Sequence, residues 1–532
     1  MTPQDAVDVV DDRFEDWWTT HERRPLPSTT QTVADLVDAC ADQFGDRVAL
    51  RAESEALSYR ELGERAAQAA QALADLGLRR GDRLAASADN DADLVLAFLG
   101  AMRLGLVWVG INRAFAPAEM LELLADCDAR QLLASGQVAS SLATFGELPN
   151  GCAVLALDEW RRAVDQAHPY ESEVPVDPFA PAAIAYTSGT TGRPKGVVHS
   201  QRNMLLPGII ARRRNEPFTR RLCVHPLTIL NIAVVDLLAG MFNGMTTSIM
   251  DWSGAEKMAE IVERDRIETA RLAPPMAYDL LSSSTVSVDA LASLVNPIVG
   301  GGDLPESFVT RFAERFGSPP RGAYGLTEAM NGCARERSEE QHIPGCSGPA
   351  YEHLELTIRG DDGRVLGPDE TGELCVGPVR TGELADVWTP MIGYWRQPEA
   401  TREVLRGGVL HTGDVAKLDD AGRLYVVGRI KDTIVRGGAN VSPGEVERVL
   451  ATHPGVAESV VLGKPDERLG QEVVAVVRRS PHSAVTETEL IAHCRVSLAR
   501  YKTPTSVKFV DQVPHTPSGK VAKAKLAALF IA

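Results

Sequence analysis

Lysine is scarce in this chain. Of 55 basic residues only ten are lysines, none precedes Lys195, and five lie beyond residue 500. Arginine supplies the ordinary solvated positive charge, so each lysine marks a place where a compact ammonium with rotatable donors has a use. Positive charge as a whole is also short: 55 Lys and Arg against 72 Asp and Glu leave a formal net charge of −17. That balance repels polyphosphate backbones and excludes a general nucleic-acid binder, while a local basic site for a small phosphate ligand stays open. The eight cysteines are scattered with no C-x-x-C pair, which argues against a disulfide framework and predicts buried thiols in a reducing compartment. A basic amino-terminal stretch leading into an apolar one is missing, so no signal peptide is expected. The apolar run from Ile229 to Phe242 is broken by Asn231 and Asp236 and is too short to cross a bilayer. The final residues, Phe530-Ile531-Ala532, are not a peroxisomal address. A soluble cytoplasmic protein with no membrane span is the expectation, and internal repeats and low-complexity tracts are absent.

With 532 residues, 44% hydrophobic and 24% charged, the composition is that of a globular protein of roughly two to four domains. Apolar residues recur at helical spacing through Leu62, Ala66, Ala70 and Leu73, and again from Leu94 to Met102, before the strand-like Leu106-Val-Trp-Val-Gly110. Residues 182–187 and 295–300 read as short buried strands, each running into a glycine-rich turn. Phe308, Phe312 and Phe316 then mark one face of a helix. Strand, glycine turn and helix in repetition predict a mainly parallel α/β sheet with ligands at strand carboxyl ends. Beyond Arg429 the texture changes. Ser442-Pro-Gly-Glu445 reads as a capping box with proline at the first helical position, and Thr486-x-x-Glu489 as a second cap. Val456–Leu462, Glu472–Val477 and Ser506–Val510 read as strands. The expected division is a large domain at 1–428, a hinge at 429–432 and a small α+β domain at 433–532.

The strongest local signal is Tyr186-Thr-Ser-Gly-Thr-Thr-Gly-Arg-Pro-Lys195-Gly196. Thr187, Ser188, Thr190 and Thr191 bring hydroxyl donors. Gly189 and Gly192 let successive backbone N–H groups converge on an anion, and Lys195 adds a point charge. The pattern is not a Walker A box. Further candidates follow in order. Gly300-Gly301-Gly302-Asp303 is a glycine turn after a strand, and Tyr324-Gly325-Leu-Thr327-Glu328 puts an aromatic face, a hydroxyl and a hard carboxylate oxygen close together. Asp414 in His411-Thr-Gly-Asp414 puts a carboxylate beside a glycine turn. Gly428-Arg429-Ile-Lys431-Asp432 crosses the expected domain boundary, and Thr516-Pro-Ser-Gly-Lys520 puts a lysine in a turn near the end.

These stretches, in this order over more than 300 residues, resemble the adenylate-forming superfamily: acyl- and aryl-CoA ligases, peptide-synthetase adenylation domains and beetle luciferases. The resemblance implies a large amino-terminal domain of mainly parallel sheets with helices plus a distorted β-barrel, followed by a small mobile α+β domain. It implies ATP, Mg²⁺ and coenzyme A, with Lys195, Thr327, Glu328 and Lys520 catalytic. The phosphate loop, the turn at Gly300–Asp303, Tyr324, Gly325, Asp414 and Arg429 would hold the nucleotide, and Glu328 the metal. Lys431 would be the pivot, Gly437 and Gly438 would line the thiol tunnel, and Ile229, Asn231, Val234, Val299 and Gly325 the acid pocket. The implied reaction is attack of a carboxylate on the α-phosphate of ATP, giving an acyl-adenylate and pyrophosphate, then transfer to the thiol of CoA with release of AMP. No covalent enzyme nucleophile is needed, which fits the missing G-x-S-x-G elbow.

One departure stands out. In Pro226-Leu-Thr-Ile229-Leu-Asn231, Ile229 occupies the position where many relatives carry a gating histidine, and His225 lies before the proline instead. The acid, whether aryl, alicyclic or fatty, is therefore open. So are two other acceptors, a separate carrier protein or, in an ATP-dependent diazotase, nitrite with an aryl amine. A monomer or homodimer is expected.

Overall fold

The computed structural model describes residues 26–53, 55–145, 147–171, 174–187, 194–214, 218–300, 306–337, 339–387, 390–436, 439–466, 468–515 and 521–530. Two large sheets dominate. The first has seven strands in the spatial order Gly393–Tyr394, Lys195–Ser200, Pro181–Thr187, Val107–Gly110, Arg83–Ser87, Gln131–Ala134 and Ala153–Ala156. Its last five strands run parallel, and the hairpin of Pro181–Thr187 with Lys195–Ser200 closes the other side. The second has eight strands in the order Ala329–Arg335, Arg321–Leu326, Asn296–Gly300, Thr269–Leu272, Arg220–Cys223, Thr246–Ile249, Val48–Arg51 and Ala56–Ser58, antiparallel only at its two edges. The expected parallel α/β architecture is thus present twice.

Helices Tyr59–Asp75, Ala92–Leu104 and Gln201–Arg214 contribute to one apolar core together with residues of both sheets. Ala92–Leu104 is buried on nearly every face, which explains why its sequence reads as an apolar run rather than a stripe. Trp108 is buried against Phe98 in an edge-on pair 5.4 Å apart. The Phe308, Phe312 and Phe316 face of helix Glu306–Phe316 packs as read. All eight cysteines are free and buried. No helix among the described residues is long and apolar enough to cross a membrane.

A third, antiparallel sheet comprises Leu354–Arg359, Gly372–Pro378, Leu410–Leu418 and Leu424–Arg429. Its outer strands do not pair with each other, so among the described residues this is an open sheet and not the closed, distorted barrel that was expected. After Arg429 the chain makes a 3₁₀ turn, Ile430–Asp432, and enters a separate sheet. There Val456–Asp466, Gly470–Arg479 and Ile434–Arg436 run antiparallel and Ser506–Val510 joins in parallel. Helices Pro443–Ala451 and Glu487–Ser497 share its apolar core.

Thr486 and Glu489 form the reciprocal cap as read. Ser442 does not cap its helix: its hydroxyl donates to the Val427 carbonyl at 2.7 Å. Glu445 is instead held by Lys502, with Nζ 2.6 Å from one carboxylate oxygen.

Candidate functional site

The turn Thr327-Glu328 joins strands Arg321–Leu326 and Ala329–Arg335, and its backbone is fixed from two sides. His199 Nε2 lies 2.8 Å from the Thr327 carbonyl, and the Met391 amide donates to the Glu328 carbonyl at 2.7 Å. Burial depresses the His199 pKa to about 4, so the ring is neutral at pH 7 and, in the tautomer assigned by this contact, donates. With the backbone held, the Glu328 side chain is positioned by Tyr394, whose hydroxyl donates to Oε1 at 2.8 Å. Burial, reinforced by Glu328, pushes the Tyr394 phenol up from its ordinary value and keeps it a donor. The Lys195 ammonium sits over the same ring, 4.7 Å from its centre, a cation–π contact. Lys195 opens its strand opposite Thr187, whose hydroxyl reaches the Lys195 carbonyl at 3.4 Å. One aromatic ring therefore joins the lysine of the phosphate motif to the carboxylate proposed for the metal. The donor set suits Mg²⁺: a hard carboxylate oxygen remains at Glu328 after Tyr394 takes the other, and Mg²⁺ needs only one or two protein oxygens beside substrate phosphates.

A second cluster lies on the neighbouring strands. The Tyr324 hydroxyl donates to buried Asp414, and Arg429 Nε is 2.8 Å from the other Asp414 oxygen. Asp414 and Arg429 are opposite each other in the antiparallel register. Burial first, then the Asp414 charge, raises the Tyr324 pKa well above the ordinary phenol range. Beside them Glu373, Cys375 and His411 place donor atoms within 4.8 Å of one another. Glu373 already accepts from His411 at 2.8 Å and has Arg406 at 3.7 Å, while burial pushes the Cys375 thiol up to about 12. The triad is thus charge-balanced without a cation.

The segment Pro226–Asn231 leaves the carboxyl end of strand Arg220–Cys223 and is clamped by buried Asn90. Asn90 Nδ2 donates to the carbonyls of His225 and Met250 at 2.8 and 2.9 Å, and its Oδ1 accepts from the Leu227 amide at 2.8 Å. Gly110 lies so close that a Cβ there would meet the Thr228 carbonyl at 1.8 Å. Ile229 precedes the short helix Leu230–Ile232, and Asn231 carries an Oδ1 that is buried and unpartnered among the described residues. Val234 is the second residue of the next stretch, the π-helix Ala233–Leu238, and packs in the first core. Val299 packs in a different apolar cluster, with Leu272 and Phe308, so its side chain is not brought to Val234. Gly325 faces Gly332, whose Cα would lie 2.7 Å from an added Cβ.

Gly300 ends strand Asn296–Gly300. Ser188, Gly189, Thr190, Thr191, Gly192, Gly301, Gly302, Asp303, Gly437, Gly438 and Lys520 lie outside the described residues. Lys431 is exposed in the 3₁₀ turn. Sequence reading missed His199, Tyr394 and Asn90. Tyr394 stands 66 residues from Glu328, a separation at which no spacing signal survives; His199, four positions after Lys195, was the one within reach of the motif.

Comparison with known proteins gives a consistent result. The family model described as AMP-binding enzyme matches residues 37–381, and that described as AMP-binding enzyme C-terminal domain matches 445–520. The chain is 30% identical over 492 residues to the long-chain-fatty-acid–CoA ligase FadD13 of Mycobacterium tuberculosis, covering 90% of this chain and 93% of that protein. It is 31% identical over 491 residues to a feruloyl-CoA synthase of Amycolatopsis, covering 91% and 96%. The crystal structure of ATP-bound MatB from Rhodopseudomonas palustris superposes with a TM-score of 0.85 at 26% identity, over 93% of this chain and 99% of that one. Two family models in the expected order, relatives along nine-tenths of the length and a shared architecture place this chain in the adenylate-forming, AMP-binding enzyme superfamily.

Proposed function

We propose that this protein is an AMP-forming acid–CoA ligase. A carboxylate oxygen of the acid attacks the α-phosphorus of ATP, the bond to the bridging oxygen breaks, and pyrophosphate leaves. The thiolate sulfur of CoA then attacks the acyl carbon of the adenylate and AMP leaves. The observation that carries this reading is the junction of Lys195, Tyr394 and Glu328 at one ring, with a buried Asp414 carboxylate held by Tyr324 on the strand that leads into Glu328.

Charge develops on the α-phosphoryl group in the first step, and preorganised cations and donors are the chief means of stabilising it. Lys195 supplies a movable ammonium and Thr187 a hydroxyl at the start of the phosphate loop. Asp414 accepts the ribose hydroxyls, with Arg429 and Tyr324 fixing its orientation. Lys520 bridges the attacking carboxylate and the α-phosphate. A Mg²⁺ ion held by Glu328 would neutralise the triphosphate. His199 and Tyr394 act through Glu328, holding its turn and its side chain in place.

The test is a pyrophosphate-release screen over aryl, alicyclic and fatty acids, with and without CoA. Acid-dependent pyrophosphate release, with AMP turnover that requires CoA, is the expected result. Adenylate that accumulates and is discharged only by a carrier protein, or by nitrite with an aryl amine, would replace the CoA reading with one of those acceptors.

A further inference from the structure

Beneath the acid segment lies a polar cluster that the adenylation chemistry does not use. The π-helix Ala233–Leu238 follows Asn231 directly. Its wide turns free backbone carbonyls, and Arg221 Nη1 takes those of Val235 and Asp236, at 2.5 and 3.2 Å. Insertions of this kind recur at functional sites. The helix turns the Asp236 side chain towards strand Thr269–Leu272, where Arg271 Nε lies 3.1 Å from Oδ1. Asp236 is 1% exposed, and its Oδ2 has no hydrogen-bond partner among the described residues. Arg271 is 22% exposed and gives only its Nε to the described protein, leaving both Nη groups free of described partners. Asn231, one turn back along the helix, has a buried Oδ1 in the same condition.

A buried, orphaned acceptor is costly and demands a reason. Asp236 beside a guanidinium with unspent donors, with Asn231 one turn back along the helix, forms a site for a group that both gives and takes hydrogen bonds. Arg271 is one residue from the carboxyl end of its parallel strand, the end at which ligands bind in such sheets, and Asn231 is on the segment that bears Ile229. We infer that Asp236, Arg271 and Asn231 read a hydroxyl or amino group on the acid, so that the substrate is a hydroxy- or amino-substituted carboxylic acid and not a plain hydrocarbon one. The inference rests on the acid-activation reading above and adds the substrate class. The hydroxyl or N–H of the acid donates to Asp236 Oδ2 or Asn231 Oδ1, and its lone pair accepts from an Arg271 Nη. A hydrocarbon acid of the same shape leaves the acceptors unpaired, and a second carboxylate brings charge against Asp236.

The experiment measures pyrophosphate release from the full-length enzyme with ATP and CoA. Its substrates are matched acids: benzoate with its hydroxy and amino derivatives, cyclohexanecarboxylate with its hydroxy derivatives, a straight-chain acid with its ω-hydroxy form, and dicarboxylates. Hydroxy- or amino-bearing acids are expected to exceed their plain counterparts at least about 100-fold in kcat/KM, the scale on which a site built to hydrogen-bond a substrate group rejects the analogue lacking it. Asn231→Leu, Asp236→Asn and Arg271→Met should each narrow that ratio about tenfold or more while the KM for ATP stays put. A merely structural role would slow both members of a pair equally and leave the ratio unchanged. If Asp236→Asn does not fold, the half-buried Asn231 and Arg271 variants carry the test. Equal use of plain and substituted acids, or preference for dicarboxylates, overturns this inference and leaves acid activation standing. No release with any acid overturns both.

Discussion

At the scale of single residues, chemistry and support separate cleanly. Lys195→Ala should slow adenylate formation by about 10²–10³, the usual cost of losing one preorganised charge, with an unchanged melting temperature because among the described residues its ammonium meets only the Tyr394 ring. Glu328→Gln should raise the Mg²⁺ concentration needed for half-maximal pyrophosphate release; an unmoved titration would return Glu328 to a structural role. His199, His225 and His353, whose pKa values burial lowers, carry a stability signature instead, strongest at the first and last. Burial lowers the pKa of His199 to about 4 and of His353 to about 3, against an ordinary value near 6.5. Such groups favour the fold fully above pH 6.5, where both states are neutral. Below it the unfolded chain takes up protons that the folded chain refuses, so stability falls as the pH drops from 6.5 towards 4, by about 1.4 kcal/mol per unit per histidine. Thermal melts at pH 7, 6 and 5 should show the decline, and His353→Gln should make it shallower, with the contribution of His199 remaining. The motif residues were legible because phosphate and ribose chemistry needs particular side chains at short spacing. Tyr394 and Asn90 were not, because what fixes their roles is a neighbour brought close by the fold.

At the scale of elements, the sequence predicted strands and helices well wherever periodicity was local. It misjudged those whose ends answer to tertiary partners. Ser442 has the spacing of a cap, yet its hydroxyl is taken by Val427, a carbonyl from the preceding sheet. Thr486 has the same spacing and no competitor, so it caps. Thr486→Ala should therefore destabilise the carboxyl-terminal sheet and helices by about 1 kcal/mol, seen as a lower urea midpoint with an unchanged slope. Gly110 shows the opposite case, a residue whose meaning is invisible without the fold. Its backbone touches Thr228 of the acid segment, and the three atoms nearest to an added methyl group all belong to that residue's backbone. Gly110→Ala should displace the segment and raise the KM for the acid more than that for ATP; equal effects on both would mean that the strand end, not the acid segment, had moved.

At the scale of the whole molecule, the mechanism asks one site to serve two steps. Sheet membership changes between Arg429 and Ile434, and the chain crosses there through the turn Ile430–Asp432. Asp432 is tied to the carboxyl-terminal helix Lys523–Ala527 by Lys523, with Nζ 2.6 Å from its carboxylate. It therefore travels with the small unit. Arg429 is held to Asp414 on the other side, so it stays with the large one. On the proposed hinge reading, the rotation is absorbed between them, at Ile430 and Lys431. Proline fixes φ near −65°, a value that suits a 3₁₀ turn. Lys431→Pro is thus compatible with the orientation seen here while restricting the others the linker visits. The expected outcome is that adenylate formation survives and transfer to CoA falls steeply. Single-turnover assays, first with ATP and acid and then with CoA added to preformed adenylate, measure the two steps apart. A uniform slowing of both in a well-folded variant would move the pivot elsewhere, and an intact transfer step would mean that the small unit need not turn at this residue for the thiol to reach the acyl carbon.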